Sequence, residues 1–514
     1  MRKNRAATYL ALLVPFLCGC GESGYAVEKV SNEGGSAVYE IFVGEFADSN
    51  GDGSGDLNGI TNHLDYLEDL GVSYLWLTPI HPSKSYHKYD VDDYYSIDSK
   101  FGTLADFDNL VAKAKEHHIG ILLDMVFNHC SVYNPLYTQF FNDFRNGNKG
   151  GHGYDFVWSK TAKEGYHFFS ELGVYVESRF SETMPEFDLS KPYIIEQQKA
   201  VQEFWLDHGV AGFRYDAVGY YFYGDTAKNV DYMKTLVSEC QAKKADVYQV
   251  GEAWPNNCTE ADIATYQSSG MHAFNFPTSE NNAAGSVGYV GYSSGLASFV
   301  TSVVNAQTQI ANAGGVEPCF FVSNHDQSRW GNYYNGKVDE EKKRKLIASC
   351  YLLTPGTPFL YYGEELEMLG TKQSSFDNYI RQAMQWGEST PDCAQPQGVT
   401  FPDQVKTTVT SAKSEGWSFL NHYRKVLSIR NKYNDLFRYG TYAAQDLGDS
   451  HLGCFKITYN NESHYLVHSN SATALTVTTS FGSSLLEDIE TSGSASSFRN
   501  HQLTVQPYSS VLLG

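Results

Sequence analysis

One feature limits what this chain can fold into more than any other. Short apolar runs with strand character alternate with amphipathic helical stretches, eight times over. The strand-like runs fall at Ala37 to Phe46, Ser73 to Thr78, Ile119 to Val126, 210–215, 246–251, 272–276, 318–323 and 357–362. Helical patterns cover Ile60 to Leu70, Ala105 to His117, 193–207, 227–242, 295–311, 339–353 and 414–434. The run Ile119 to Val126 is nearly all apolar, as a strand covered on both faces must be. Such alternation predicts a parallel sheet wrapped by helices: an α/β fold, a (β/α)8 TIM barrel over residues 37–129 and 191–435. The stretch 130–190, rich in Gly, Asn, Tyr and Phe, interrupts it after the third strand and reads as an inserted subdomain. Residues 436–514 become rich in Thr, Ser and Val, with short alternating strands such as Leu452 to Tyr459. They are expected to form a C-terminal antiparallel β-sandwich domain.

The chain start reads as an export signal. Arg2, Lys3 and Arg5 precede a short apolar stretch from Ala7 to Leu17, too short to span a bilayer. Leu17-Cys18-Gly19-Cys20 then resembles a bacterial lipobox, which implies a signal peptide over 1–19 and lipid on Cys20. A plain secretory signal is the alternative. Residues 20–36, rich in Gly, Ser and Glu, are expected to be a flexible tether. No later run is apolar enough for a transmembrane helix, so membrane contact is expected through the lipid anchor alone. Gly21 rather than Asp after that Cys points to the outer membrane. Seven further cysteines, an odd number with no metal-ligand spacing, leave at least one thiol free and their pairing unread. A net charge of −21 argues against nucleic acid as a partner. A monomer is expected.

The active end of such a barrel lies where its strands end. The third run ends Asp124-Met-Val-Phe-Asn128-His129. The fourth ends Gly212-Phe-Arg214-Tyr-Asp216-Ala217, the fifth Gly251-Glu252-Ala-Trp254, and the seventh Asn324-His325-Asp326. Any one of these carboxylates alone is as readily a helix cap or half of an ion pair. Together they place several acids around one hollow, where they repel one another, and chemistry explains that better than folding does.

These four segments, in this order and on these strands, resemble the four consensus regions of glycoside hydrolase family 13, the alpha-amylase family. The resemblance implies retaining hydrolysis of α-glucosidic bonds. Asp216 would be the nucleophile, Glu252 the acid and base, and Asp326 the third carboxylate. Asp124, His129, Arg214 and His325 would serve substrate binding. Two further segments extend the likeness: His87 to Tyr94 implies Tyr89 as a stacking platform, and Arg381 to Trp386 implies Arg381 as a pocket residue.

Asp48-Ser-Asn50-Gly-Asp52-Gly-Ser54-Gly-Asp56 sets oxygen donors at alternate positions around tight turns, which suits calcium. Gly59 stands where an EF-hand needs its Glu, so this is no EF-hand. It resembles a calcium loop of several family members, implying Ca2+ on Asp48, Asn50, Asp52, Asp56 and the Ser54 carbonyl. The family's other calcium site is in doubt, because Gly219-Tyr220 replaces its usual Lys-His, although Asn128 is present. The expected substrate is an α-1,4-glucan, cut internally. Exo-acting α-glucosidases, oligo-1,6-glucosidases and neopullulanases are the alternatives, and a non-catalytic glucan-binding protein is a third reading.

Overall fold

A computed structural model describes residues 24–514 except 149, 255–257, 278–289, 292–294, 333, 374–376, 388–391, 400–406 and 492. The signal segment and Cys20 lie outside the described residues.

Eight parallel strands form the core: β1 (Val38–Ile41), β2 (Tyr74–Leu77), β3 (Gly120–Met125), β4 (Gly212–Tyr215), β5 (Tyr248–Gly251), β6 (His272–Phe274), β7 (Pro318–Cys319) and β8 (Phe359–Tyr361). They pair in the order β7-β6-β5-β4-β3-β2-β1-β8. Two bonds close the ring between its ends: Thr357 N–H donates to Pro318 O (3.0 Å) and Phe359 N–H to Phe320 O (2.8 Å). The barrel is thus the one the alternation predicts. The interior is filled by rings, with Phe274 4.8 Å from Phe359 and 5.4 Å from Trp76 between centroids. Gly212 is needed where β4 meets β5, because a Cβ there would stand 1.8 Å from Tyr248 O.

The strands are shorter than the apolar runs suggest. The first run ends at Ile41 and passes into a tight 3-10 turn, Val43–Glu45, and the seventh is paired only at Pro318–Cys319. Burial makes a run apolar whether or not its backbone pairs. The helical pattern at 414–434 is broken into Val409–Ser414, Phe419–Lys432 and Asn434–Tyr439. A helix between β5 and β6, Glu260–Gln267, has almost no amphipathic signature and escapes a periodicity reading; Thr259 starts it with a capping box.

The tether expectation needs correction over residues 25–36. Tyr25 packs edge-on against Trp417 (4.6 Å), and its N–H donates to Gly416 O (3.0 Å). Asn32 Nδ2 donates to Val72 O (2.7 Å) and His117 O (3.2 Å), just before β2 and β3. A strap rich in small polar residues reads as flexible, but here those residues satisfy backbone groups at the barrel's underside.

After β3 the chain builds a helix, Pro135–Arg145, and a three-stranded sheet of Trp158–Ser159, Val174–Glu177 and Tyr166–Phe169. Cys130 N–H donates to Pro185 O (3.2 Å) and Phe187 N–H to Asn128 O (3.1 Å), so this insertion is fastened to the end of β3. Beyond Thr441, a five-stranded and a three-stranded antiparallel sheet bury Leu452, Val467, Leu503, Val505 and Val511 between them. All seven cysteines from Cys130 onward are buried free thiols. Among the described residues, no helix is long and apolar enough to cross a membrane.

Candidate active site

Arg214, on β4, organises the upper end of the barrel. Its Nη1 donates to Asp124 Oδ1 (2.6 Å) and Asp216 Oδ1 (2.9 Å), and its Nη2 to Glu252 Oε2 (2.9 Å). One guanidinium therefore holds carboxylates from the ends of β3, β4 and β5. Asp124 Oδ2 accepts from Tyr89 OH (2.9 Å) and from Trp76 Nε1 (3.2 Å), which ties the site to the aromatic barrel core. Tyr89 OH lies 2.7 Å from His325 Nε2. That nitrogen also lies 2.9 Å from Asp326 Oδ2, and Arg381 Nη2 donates to Asp326 Oδ1 (2.8 Å). A continuous polar chain thus joins Glu252, Arg214, Asp124, Tyr89, His325, Asp326 and Arg381.

Exposure separates the members of this chain. The Asp124 and Arg214 side chains are 0% and 1% exposed, whereas Asp216, Glu252 and Asp326 keep 10%, 12% and 27%. Only the last three present carboxyl oxygens to the hollow. Asp124 and Arg214, expected to bind substrate, are buried here and bonded to one another and to Tyr89, Trp76, Asp216 and Glu252, an arrangement that positions their neighbours. His129 Nε2 donates to Tyr89 O (3.1 Å) and anchors the Tyr89 turn. Burial lowers the His129 ring to about 4, so it is neutral. The Tyr89 ring stacks on His325 at 5.4 Å and 10°.

The chain turns sharply after Asp216. Ala217 adopts φ 50°, ψ 37°, a left-handed conformation that costs a non-glycine residue about 1–2 kcal/mol. The turn aims the Ala217 N–H at Glu252 Oε2 (3.1 Å).

Electrostatics divide the rim. Burial raises Asp216 well above the usual carboxylate range, and repulsion from Glu252, Asp124 and Asp326 adds to this against the pull of Arg214. Burial also works against charge on Asp326, but His325, Arg381 and Lys372 outweigh it and hold Asp326 far below. His325 is the reverse case: despite burial, Asp326 and Glu40 raise it to about 10, so it is an imidazolium. Glu40, at the end of β1 and 2% exposed, accepts from both the ring Nδ1 and the backbone N–H of His325. Sequence reasoning missed Glu40, although a carboxylate inside the apolar run Val38-Tyr-Glu-Ile41 was a visible signal. Tyr86 was missed as well; its hydroxyl accepts from Arg381 Nη1 (3.0 Å).

A model of the alpha amylase catalytic domain matches residues 40–440. The chain belongs to the alpha-amylase family. It is similar to Alpha-amylase 3 of Dictyoglomus thermophilum, with 34% identity covering 99% of this chain and 98% of that protein. An oligo-1,6-glucosidase of Parageobacillus thermoglucosidasius is 26% identical over 83% of this chain and 88% of its own length. Among solved structures, Eubacterium rectale Amy13B superimposes with a TM-score of 0.87 at 33% identity, covering 94% of this chain and 96% of that one. The protein is thus an alpha-amylase-type glycoside hydrolase, as its four consensus segments imply.

The loop after β1 carries the oxygen-rich segment. Asp48 accepts from the amides of Asn50 (3.0 Å), Gly51 and Gly53 (both 2.7 Å). Asn50 Oδ1 accepts from Asp52 N–H (2.9 Å), and Asp52 Oδ1 from Ser54 N–H (2.8 Å). These turns curve the loop around carboxylate and amide oxygens, the donor type that a hard cation takes. Asp56 is differently engaged. It caps the helix Leu57–Asn62 through Gly59 N–H (2.7 Å) and accepts from Ser49 and Asn50 Nδ2. Near Asn128, the Glu186 carboxyl is raised to about 8 by burial and by Glu177.

Proposed function

We propose that this enzyme hydrolyses α-1,4-glucosidic bonds within starch-like glucans by double displacement, with retention at the anomeric carbon. The observation that carries this reading is the shared guanidinium of Arg214. It holds Asp216 and Glu252 on its two terminal nitrogens and so gathers both carboxyl groups at one point of the rim, as a nucleophile and acid/base pair require. Asp216 attacks the anomeric carbon while Glu252 gives its proton to the departing glycosidic oxygen. The carbon–oxygen bond breaks and a glycosyl ester of Asp216 forms. Glu252, now a carboxylate, takes a proton from water, the water oxygen attacks the same carbon, and Asp216 is released. The first step needs Asp216 as a carboxylate, which Arg214 at 2.9 Å favours against burial and the neighbouring acids. Asp326, fixed as an anion, accepts from sugar hydroxyls, with Arg381 and Tyr89 lining the same pocket.

Calcium fits the β1 loop, held by Asp48, Asn50, Asp52 and the Ser54 carbonyl. Asp56 joins them only if the Asn50 amide gives way. There the ion would pin a loop, not take part in bond cleavage. Cys20 as a lipid-bearing residue would place the enzyme at the bacterial outer membrane. The docked strap at the barrel's underside then turns the catalytic rim away from the lipid. Monomeric action needs no residue from a second copy, since one chain supplies every group named above.

The experiment is product analysis on starch, pullulan and isomaltose, with the first-formed anomer read by NMR. Mixed maltooligosaccharides of α configuration from starch are expected. Glucose released alone from chain ends, or preferential cleavage of isomaltose, would favour the exo-acting glucosidase reading and overturn the endo-amylase one.

A further inference from the structure

The turn that carries Tyr89 is held in an uncommon way. Lys88, directly before it, adopts φ 63°, in the left-handed region that suits glycine and strains a residue with a side chain. Lys88 is also buried, at 5% exposure, although an ammonium resists burial unless it finds partners. It has them. Its Nζ lies 2.5 Å from Asp98 Oδ2 and 4.9 Å from the centre of the Phe101 ring.

Both partners are fixed to the body of the barrel. Asp98 N–H donates to Ile80 O (2.8 Å), just beyond β2. Phe101 O accepts from Leu57 N–H (3.0 Å) at the start of the helix Leu57–Asn62. The turn itself closes without the ammonium. The hydroxyls of Ser83 and Ser85 donate to Asp90 Oδ1, Lys88 N–H donates to Ser85 Oγ (3.1 Å), and Tyr89 N–H donates to His87 Nδ1 (3.1 Å). A glycine at position 88 would serve that closure with less strain. The long charged side chain therefore does something the turn alone does not need.

It fixes the direction in which the next residue leaves. The Tyr89 ring stacks on His325 at 10°, and its hydroxyl sits 2.9 Å from Asp124 Oδ2 and 2.7 Å from His325 Nε2. A small rotation about residue 88 would tilt that ring and break both contacts, since hydrogen bonds weaken steeply with misalignment.

We propose that Lys88 is a positioning residue for the hydrolytic reaction. Through its ion pair with Asp98 it sets the plane of the Tyr89 ring, so that the pocket matches the sugar as it distorts toward the transition state and not only the resting sugar. This rests on the hydrolase reading above, in which Tyr89 lines the pocket.

The test uses the full-length enzyme with maltoheptaose. Lys88→Gly removes the ammonium and relieves the backbone together, so its melting temperature should stay within a few degrees of the parent. Its kcat is expected to fall about tenfold, with KM within about twofold, the mark of a contact that matters in the transition state. Lys88→Ala keeps the strain without the ammonium. It should melt lower than Lys88→Gly and show the same loss of kcat, whereas a merely structural role would make the two activities follow the two stabilities. The decisive measurement is the cycle with Tyr89→Ala. In that background Lys88→Gly should cost less than about twofold more, because the ring it sets is gone. Fully additive losses, an unchanged kcat in Lys88→Gly, or failure of that variant to fold would overturn the positioning role and leave the hydrolase reading standing. Parent-like kinetics in Tyr89→Ala would remove Tyr89 from the pocket and the proposal with it. A parent that cleaves no α-glucan would overturn the hydrolase reading as well.

Discussion

Both ends of the barrel bury charge, and they do so in opposite ways. At the lower end, Glu317 stands just before β7. It is held by Arg438 at 2.9 and 3.0 Å, by His272 at 3.2 Å and by the Thr357 hydroxyl at 2.8 Å. Burial opposes the charge of this acid, but its contacts with His272 and Arg438 outweigh that and lower it to about 2. Nearby, Arg430 is buried and gives its protons to the carbonyls of Leu352, Thr354 and Gly356 and to Ser36. At the upper end the balance is reversed. Three carboxylates crowd one arginine, and Asp216 is pushed up, not down. The lower end is satisfied and structural. The upper end holds an excess of negative charge that folding alone would not select.

Removing a charge from each end gives the sharpest contrast. Asp216→Asn should lower starch hydrolysis by roughly four to six orders of magnitude, the scale of losing a covalent nucleophile. Its melting temperature should stay level or rise, because a repelling carboxylate is gone. Steady-state kinetics and a thermal melt on one preparation check both parts; retained activity with lost stability would erase the distinction between the ends.

Arg438→Met at the lower end should do the opposite. It strands a buried carboxylate and is expected to cost about 3–5 kcal/mol of stability, with kcat on starch unchanged. The pH dependence has a definite sign. A depressed carboxylate stabilises the fold above its unfolded value of 4.5, and that contribution is lost as pH falls through about 2. Urea melts from pH 7 downward should therefore show the parent's unfolding midpoint falling toward the variant's, so that the gap between them narrows as Glu317 takes up a proton.

A subtler intrusion into the upper end is Glu40→Gln. His325 is faced by Glu40, Asp326, the Tyr89 hydroxyl and the Trp76 ring. Its raised value keeps the imidazolium present below about 10, to be lost as pH rises through that point. Without Glu40 that loss moves to lower pH. The alkaline limb of kcat/KM should shift by about one pH unit, with little change at pH 6. An unmoved limb would mean that Asp326 alone sets the charge of His325.

The smallest effect is expected from chelation, which touches neither end's ion pairs. Removing calcium with EDTA should lower the melting temperature by a few degrees, and excess Ca2+ should restore it, about 2.7 kcal/mol at a hundredfold excess over Kd. An EDTA-insensitive melt together with no calorimetric binding of Ca2+ would dismiss the site.

The sequence alone determined the barrel, because a strand buried on both faces must be apolar along its length and eight such runs alternate with helices. It also determined which carboxylates reach the rim, since strand ends in a parallel barrel all point to one side. Tertiary structure decided the rest. Which of the rim residues face the hollow depends on partners far away in the chain: Trp76 and Tyr89 cover Asp124, and Asp124 covers Arg214. Glu40 acquires its part only when closure of the barrel brings His325, 285 residues later, against it. The strap over residues 25–36 looked free because its own residues are small and polar, and only the underside of the barrel offers the carbonyls that hold it. The contact of Phe180 with Tyr220, 5.0 Å between ring centres, could not be read from spacing at all. Its rings come from two segments that meet because the insertion folds back over the end of β4, and contact between distant segments leaves no periodic trace in either.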